Sequence, residues 1–351
     1  MQNATFTSIE SLHPKLTRKY MQTQNKAVVL LNMGGPSSLD EVATFLKNMF
    51  ADPCILSVKN EFFRSMLGNV IVNSRIEKSK KMYEKIGGCS PLTEITFKLT
   101  QKLQKRNPST FYTYAMRYVP PYSLAVMQEI MQKNIHDITL FSMYPQYSST
   151  TTYSSFSDVS LALKTLNFTP RIRTIDRYAT HPLFIKAVTQ SIKDTLNGRN
   201  AKDFVLILSA HSVPISRIKK GDPYQQECEE CQTLLQNELE KNDIVFKDIR
   251  LCYQSKVGPV KWIGPYTDSV IKSLAPSNMI IYPLSFTIDN SETKYELAIQ
   301  YAELAKSLGI KEYLVCECLN DSDLFVEFIE SMTSYQEPQM QVEYSPPITQ
   351  G

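Results

Sequence analysis

Short unbroken apolar runs recur along the chain, each bounded by polar residues and each followed by a stretch with helical spacing. Ala27-Val28-Val29-Leu30-Leu31 and Phe204-Val205-Leu206-Ile207-Leu208 are the clearest. Runs of this length and composition predict strands buried on both faces, as in a parallel sheet. After the first run Asn32-Met33-Gly34-Gly35-Pro36 predicts a turn, with Ser37 or Ser38 capping a helix from about Leu39 to Met49. Residues 54–73 carry Phe62, Phe63, Met66, Leu67, Val70 and Ile71 at helical spacing, and a charged helix follows from Arg75 to Lys85. Further strands are predicted at 111–118, 137–143, 171–175, 249–254, 278–284 and 311–318. The helices between and after them are predicted at 124–132, 158–165, 181–197, 226–241, 266–273, 292–307 and 324–334. Strand and helix alternate throughout, which predicts an α/β protein with doubly wound parallel sheets.

The pattern repeats weakly in the two halves. It divides the chain into a flexible or transit-like segment over 1–25, a first domain over 26–170, a second over 171–335 and a loose polar tail over 336–351. A length of 351 residues suits two domains better than one core. A net charge of +3, without a basic tract, argues against a nucleic-acid partner. No apolar run approaches the roughly 20 residues of a membrane-spanning helix. Seven scattered cysteines, an odd number, predict a reducing compartment rather than a disulfide framework. Cys228 with Cys231, and Cys316 with Cys318, lack the partners of a zinc site and are read as incidental. The first 25 residues hold Lys15, Arg18 and Lys19 against one acid, Glu10, and fit either a mitochondrial transit segment or a plain flexible tail.

Candidate chemistry gathers at two strand ends. His211 follows the run at 204–208 within SAHSVP, and Pro214 blocks continuation of the ladder. Ligands of open α/β sheets bind at that carboxyl edge, although a histidine at a strand end is often a capped structural residue. The second stretch is PLSFTIDNSETKYELAIQY, 283–301, where Asp289 and Asn290 lead into a helix that starts near Ser291. Glu292 and Glu296, four apart, share one face of it, and the helix dipole favours a carboxylate at Glu292. Two glutamates on a helix are ordinarily a solvated face. Here an imidazole and a carboxylate converge on one sheet edge, where they could move protons or hold a metal. The glycine turn at 32–36 lacks the spacing of a dinucleotide or nucleoside triphosphate site. Ile86-Gly87-Gly88-Cys89-Ser90-Pro91 predicts a turn whose glycines admit a ligand close to the backbone.

Seven motifs in order resemble the ferrochelatase family: LNMGGP, IGGCSP, YPQYSSTTT, TIDR, SAHSVPISRIKKGDPY, YQSKVGPVKWIGPYTD and FTIDNSETKYEL. The likeness spans nearly all of residues 26–335 and is to the mitochondrial and proteobacterial branch. It implies two Rossmann-like domains of the chelatase kind around a porphyrin cleft. Fe2+ and protoporphyrin IX are then substrates, protohaem the product, and no soluble cofactor is needed. By this likeness His211 takes pyrrole protons, and Glu292 handles protons or iron beside it, the two being the candidate iron contacts. Met33, Tyr83, Arg117, Tyr118, Tyr144, Phe286 and Trp262, the sole tryptophan, match cleft-lining positions. Arg75 and Ser90 match positions that hold the propionates, for which a guanidinium is suited. Asp289, Asn290 and Glu296 stand behind them. The 54–73 stretch matches a lip that faces a membrane. The likeness further implies a peripheral place on the matrix side of the mitochondrial inner membrane, with a cytoplasmic setting as the alternative, and a homodimer.

Two departures bear on activity. Asn290 stands where the family places a histidine, and Ala298 and Gln300 replace acids further along the same helix. They keep open a second reading, an impaired ferrochelatase-like protein that binds porphyrin or haem without inserting metal. Ser149 stands in place of a cluster cysteine and the tail has none, so an iron–sulfur cluster is not expected.

Overall fold

The buried run Lys26–Asn32 forms β1, and its two faces serve different cores. Val28 and Leu30 point into a central core, whereas Ala27, Val29 and Leu31 point to an outer one, the period-2 alternation of a strand covered on both sides. A computed structural model describes residues 24–334 apart from 257 and 259. The expected transit segment and the expected tail lie almost wholly outside the described residues.

β1 is flanked by β2 (Thr110–Met116) and β3 (Asp137–Ser142), and β4 (Arg171–Ile175) completes a four-stranded parallel sheet of order β2-β1-β3-β4. The second half repeats this with β5 (Phe204–His211), β6 (Asp248–Gln254), β7 (Asn278–Pro283) and β8 (Tyr313–Val315), in the order β6-β5-β7-β8. Each sheet reverses winding direction once, between β1 and β3 and between β5 and β7, and leaves a crevice beyond those strand ends. The expected doubly wound α/β fold is therefore the observed one. The expected division at residue 170 is not: β4 hydrogen-bonds to β3, so residues 171–175 belong to the first sheet. Sequence spacing found that strand but could not assign it to a sheet, because a partly exposed edge strand carries little apolar signal.

The helices of the first half are α1 (Val42–Ala51), α2 (Glu61–Lys85), α3 (Leu92–Arg106), α4 (Ser123–Gln132) and α5 (Thr152–Thr165). Those of the second are α6 (Pro182–Leu196), α7 (Ile215–Ile218), α8 (Tyr224–Lys241), α9 (Thr267–Leu274), a π-helix at Glu292–Gln300, α10 (Tyr301–Ser307) and α11 (Asp323–Ser334). Four differ from expectation, the short α7 being one that had no predicted counterpart. The stretches at 54–73 and 75–85 join into one 25-residue helix, α2, whose start Asn60 caps by accepting from Phe63 N at 3.2 Å. α3 was not foreseen, although Leu92, Thr96, Leu99 and Leu103 give it a buried stripe. α5 begins six residues before the expected start because Thr152, Ser154 and Ser155 are buried and continue its inner face.

α4 and α5 cover the outer face of the first sheet, and α9 and α10 that of the second. Between the sheets lies one continuous core, to which β1, β3, β5, β7, α3, α6, α8 and α11 all contribute. The carboxyl edges of the sheets are tied directly. Thr287 Oγ1 donates to Met143 O at 2.7 Å, and Gln146 Nε2 donates to Leu284 O at 3.2 Å. The segment after β5 adds a polar clasp. Asp222 Oδ2 accepts from Ser148 Oγ (3.0 Å), Ser149 N (2.8 Å) and Ser149 Oγ (2.7 Å), while Arg217 reaches Ser149 Oγ (3.0 Å), Ser57 Oγ (2.9 Å) and Cys54 O.

Charge-assisted hydrogen bonds of this kind stabilise more than neutral ones. Asp222→Ala removes one acceptor from three donors at once and is expected to lower stability by roughly 2–4 kcal/mol. Urea unfolding checks this, and an unchanged midpoint would show that the clasp contributes nothing.

Candidate active site

β5 delivers His211 to the crevice between β5 and β7. The backbone is held on both sides of the ring. His211 N donates to Ser285 Oγ (2.8 Å), and Tyr224 Oη donates to His211 O (2.8 Å). The next residue continues the ladder once, with Ser212 N donating to Gln254 O at 2.8 Å, before Pro214 ends it. The half-buried ring packs edge-on against Phe286, with centroids 6.3 Å apart and planes at 80°. Its Nδ1 lies 2.7 Å from Ser212 O. A carbonyl oxygen only accepts, so in the neutral ring the proton sits on Nδ1 and the lone pair is on Nε2. His211 is thus presented as a base through one defined nitrogen.

β7 delivers the other group. After Pro283 the chain runs through Ser285 and Phe286 to a tightly bonded turn, then enters the π-helix with Glu292 as its first residue. The helix is wound to the wider spacing: Tyr301 N donates to Glu296 O, five residues back. π-turns are frequent at functional sites because they cost stability and persist where position matters. Glu292 Oε2 accepts from Ser291 Oγ at 3.1 Å. Asp289 is fully buried and neutralised, accepting from Thr293 Oγ1 (2.8 Å), Asn320 Nδ2 (2.9 Å) and Lys294 Nζ (2.9 Å). Asn290 is buried with its Oδ1 on the amides of Glu292 (2.9 Å) and Thr293 (3.2 Å). Glu296 is engaged elsewhere. Its carboxylate accepts from Ser255 N (3.1 Å), Ser255 Oγ and Tyr301 Oη (2.8 Å), which latches the exit of β6.

The first sheet supplies the opposite wall. Tyr144, just past β3, is buried, and its hydroxyl bonds to the backbone of Met33, just past β1. Burial foremost, and then the Glu292 charge, push the Tyr144 phenol well above its ordinary value. Tyr83 on α2 is likewise buried, bonds to Ser291 and feels Glu292, and burial pushes it up as well. These two phenols, with Glu292 between the halves, remain neutral donors at any physiological pH. Arg75, one helix face along from Tyr83, is half-buried and lies 5.7 Å from the Phe50 ring centroid. It has no carboxylate partner among the described residues, and desolvation lowers its pKa. Ser90 is buried beside the glycine turn, where a Cβ on Gly35 would sit 2.5 Å from its Oγ. Trp262 bridges to Pro214, so the loop after β6 is zipped to the segment that follows His211.

Two expected cleft residues already have partners of their own. Arg117 donates to Ser154 Oγ (3.0 Å) and pairs with Asp52 and Asp158, each at 3.3 Å. It lines a cavity of about 440 Å³ with Asn48, Asp52 and Leu161. Tyr118 donates to Asp52 Oδ2 at 2.8 Å and is buried. Asp52 is the residue sequence reading missed. A lone aspartate in FADP gives no signal, yet it is buried and organises Arg117, Tyr118 and Ser154. Ser285 and Tyr224, which fix the His211 backbone, were missed for the same reason. Cys228, Cys231, Cys316 and Cys318 are buried, and burial pushes each thiol up, Cys231 and Cys316 to about 12. They are inert packing residues. No group of three or more His, Cys, Asp or Glu able to hold a metal occurs among the described residues. His211 and Glu292 therefore stand outside any three-ligand cage.

Comparisons with known proteins bear on the fold and on the family. In overall shape the chain is similar to SirB from Bacillus subtilis (TM-score 0.53, 9% identity, 88% of this chain and 94% of that one). It is also similar to CbiX, described as the terminal enzyme of sirohaem biosynthesis in denitrifying bacteria (TM-score 0.51, 12% identity, 89% and 100%). At such identities the likeness establishes the fold alone. In sequence it is 57% identical to the ferrochelatase of Helicobacter pylori strain HPAG1 over 309 residues, 88% of this chain and 92% of that one. It is 50% identical to that of Wolinella succinogenes over 312 residues, 89% and 99%. Residues 25–337 match the ferrochelatase family as a whole, and the chain belongs to that family.

Proposed function

We propose that this chain inserts Fe2+ into protoporphyrin IX to form protohaem, as a metal-chelating lyase of haem biosynthesis. The observation that carries the reading is the His211 ring. Its Nδ1 is committed to Ser212 O, which leaves Nε2 as a base at the mouth of a switch-point crevice. Metal insertion releases two pyrrole N–H protons, so the site needs a base and a route onward. His211 Nε2 receives the first. Glu292, across the crevice at the start of the π-helix, is the carboxylate that accepts or relays a proton or meets the incoming iron. Tyr83 and Tyr144, both buried within reach of the Glu292 charge, stay protonated themselves.

Arg75 supports a dicarboxylate ligand. A half-buried guanidinium with no carboxylate among the described residues awaits one, and a propionate fits. The outer part of α2 supports an apolar source for the porphyrin. Phe62, Phe63, Met66, Leu67 and Val70 are between 42% and 72% exposed on one face. Arg64 folds the other way onto Ala51 O and Val58 O. An apolar stripe this large marks an interaction surface, and no helix among the described residues is long and apolar enough to cross a membrane. The lip therefore rests on a membrane surface, from which protoporphyrin enters. The second reading, binding without insertion, rests on Asn290 and on Ala298 and Gln300, and the last two lie exposed on the helix surface. The Asn290 side chain is spent on backbone amides, and no observation favours that reading.

Insertion of Fe2+, or of Zn2+ as a stable proxy, is followed by porphyrin absorbance. His211→Ala is expected to lower kcat by roughly 10²-fold or more while porphyrin still binds. Tight porphyrin binding without turnover in the wild type would instead leave a binding protein. Arg75→Ala is expected to raise KM for protoporphyrin about tenfold with kcat nearly kept, since a charged hydrogen bond of about 1.5–3 kcal/mol is lost. An unchanged KM would remove Arg75 from the propionate role. Phe62→Ser with Phe63→Ser is expected to weaken sedimentation with lipid vesicles and to leave turnover of a water-soluble porphyrin intact. Equal sedimentation of both proteins would refute the lip.

A further inference from the structure

Glu292 can act only if the helix that presents it starts in one place. Asn290 determines where. Its Oδ1 accepts from Glu292 N (2.9 Å) and Thr293 N (3.2 Å), and its Nδ2 donates to Ile288 O (3.3 Å). Its own amide donates to Thr293 Oγ1 (3.0 Å), and its carbonyl accepts from Lys294 N (3.0 Å). At 3% exposure the side chain has no access to bulk water. These are the bonds of a helix cap, and asparagine is among the strongest capping residues.

We propose that Asn290 is a positioning residue for metal insertion: by capping the π-helix it fixes the backbone from which Glu292 projects. The inference rests on the chelatase reading above. It does not require Asn290 to carry a proton, which an amide cannot do. Three further observations bear on it. The preceding residue, Asp289, is clamped by Thr293, Asn320 and Lys294, so the turn is held on both sides. Ser291, the next residue, bonds to Glu292 itself and to Tyr83 from the other half. A shift of the helix start would thus move Glu292 against Tyr83 and Tyr144 together. A π-helix, intrinsically less stable than an α-helix, depends on such anchoring more than an ordinary helix does.

The same chain shows that a histidine can do this work. His181 caps α6 through Nδ1, which accepts from Leu183 N at 3.2 Å. A histidine at 290 would therefore cap with one nitrogen and have a second to spare. Capping is the property that asparagine and histidine share there.

The test compares wild type with Asn290→Ala, Asn290→Ser and Asn290→His by two readouts. One is Zn2+ insertion into protoporphyrin, resolved into kcat and KM. The other is amide hydrogen exchange over residues 290–296, which needs no turnover. Asn290→Ala is expected to speed that exchange and to lower kcat, each roughly five- to tenfold, with KM for porphyrin unchanged. Asn290→Ser and Asn290→His, which keep an acceptor, are expected to restore both to within about threefold. Faster exchange with full kcat in Asn290→Ala overturns the proposal, because the cap would then not matter to the reaction. Protected amides with lost kcat in Asn290→Ser also overturn it, because Asn290 would then meet the substrate directly. That comparison stands even if the alanine variant fails to fold. A wild type that inserts no metal removes the chelatase reading and the kinetic half of this one, while exchange still reports whether Asn290 caps.

Discussion

Two hydrogen bonds between loops hold the site open in the right place. Thr287 Oγ1 reaches Met143 O, and Gln146 Nε2 reaches Leu284 O. Each joins the chain just past β3 to the chain just past β7. Parallel sheets bind ligands beyond their carboxyl ends, at the point where winding reverses. One such sheet yields a shallow crevice. Two of them, tied edge to edge at the same strands, turn two crevices into one walled cleft. Met33 and Tyr144 come from the first sheet and His211, Phe286 and Glu292 from the second only because of that docking. The shared central core makes it permanent, since separating the halves would expose apolar surface from eight elements.

Within the cleft the polar groups divide into those already spent and those left available. Asp289, Asn290, Glu296, Arg117 and Tyr118 have partners for most of their capacity. His211 Nε2, the Arg75 guanidinium and the Glu292 carboxylate do not. Even half-buried polar groups without partners carry a cost, and a protein keeps them where a ligand or reaction will use them. This division, rather than the presence of any motif, separates the groups that meet the substrate from those that hold the groups in place.

Much of the fold was legible in the sequence because strands buried on both faces announce themselves. Runs such as 27–31 and 204–208 leave no other reading. β4 was legible as a strand but not as a member of the first sheet, β8 came out shorter than its expected run, and α3 was hidden by threonines that turned out to be buried. The two principal candidates were legible from position alone, as a histidine and a glutamate just past buried strands. What could not be read was commitment. Sequence shows that Arg117 is a cation but not that Asp52, distant in the chain, has already claimed it. Nor does the substitution of asparagine for histidine reveal that both can cap, because capping depends on which way the side chain turns.

α2 has a consequence of its own. One uninterrupted helix of 25 residues carries the exposed aromatic stripe near its start and Arg75 and Tyr83 toward its end. At about 1.5 Å per residue it is a rod of roughly 37 Å. Gly68 lets it cross α1 closely, since a Cβ there would lie 3.3 Å from Phe50 O. Under the proposed membrane contact of the lip, the depth of the reaction centre beneath that surface is a length written into one helix, and the angle of approach is its phase. Each residue added between Val70 and Arg75 would turn the stripe by about 100° relative to the cleft. The helix acts as a gauge, in which the number of residues, more than their identity, sets where an apolar guest arrives.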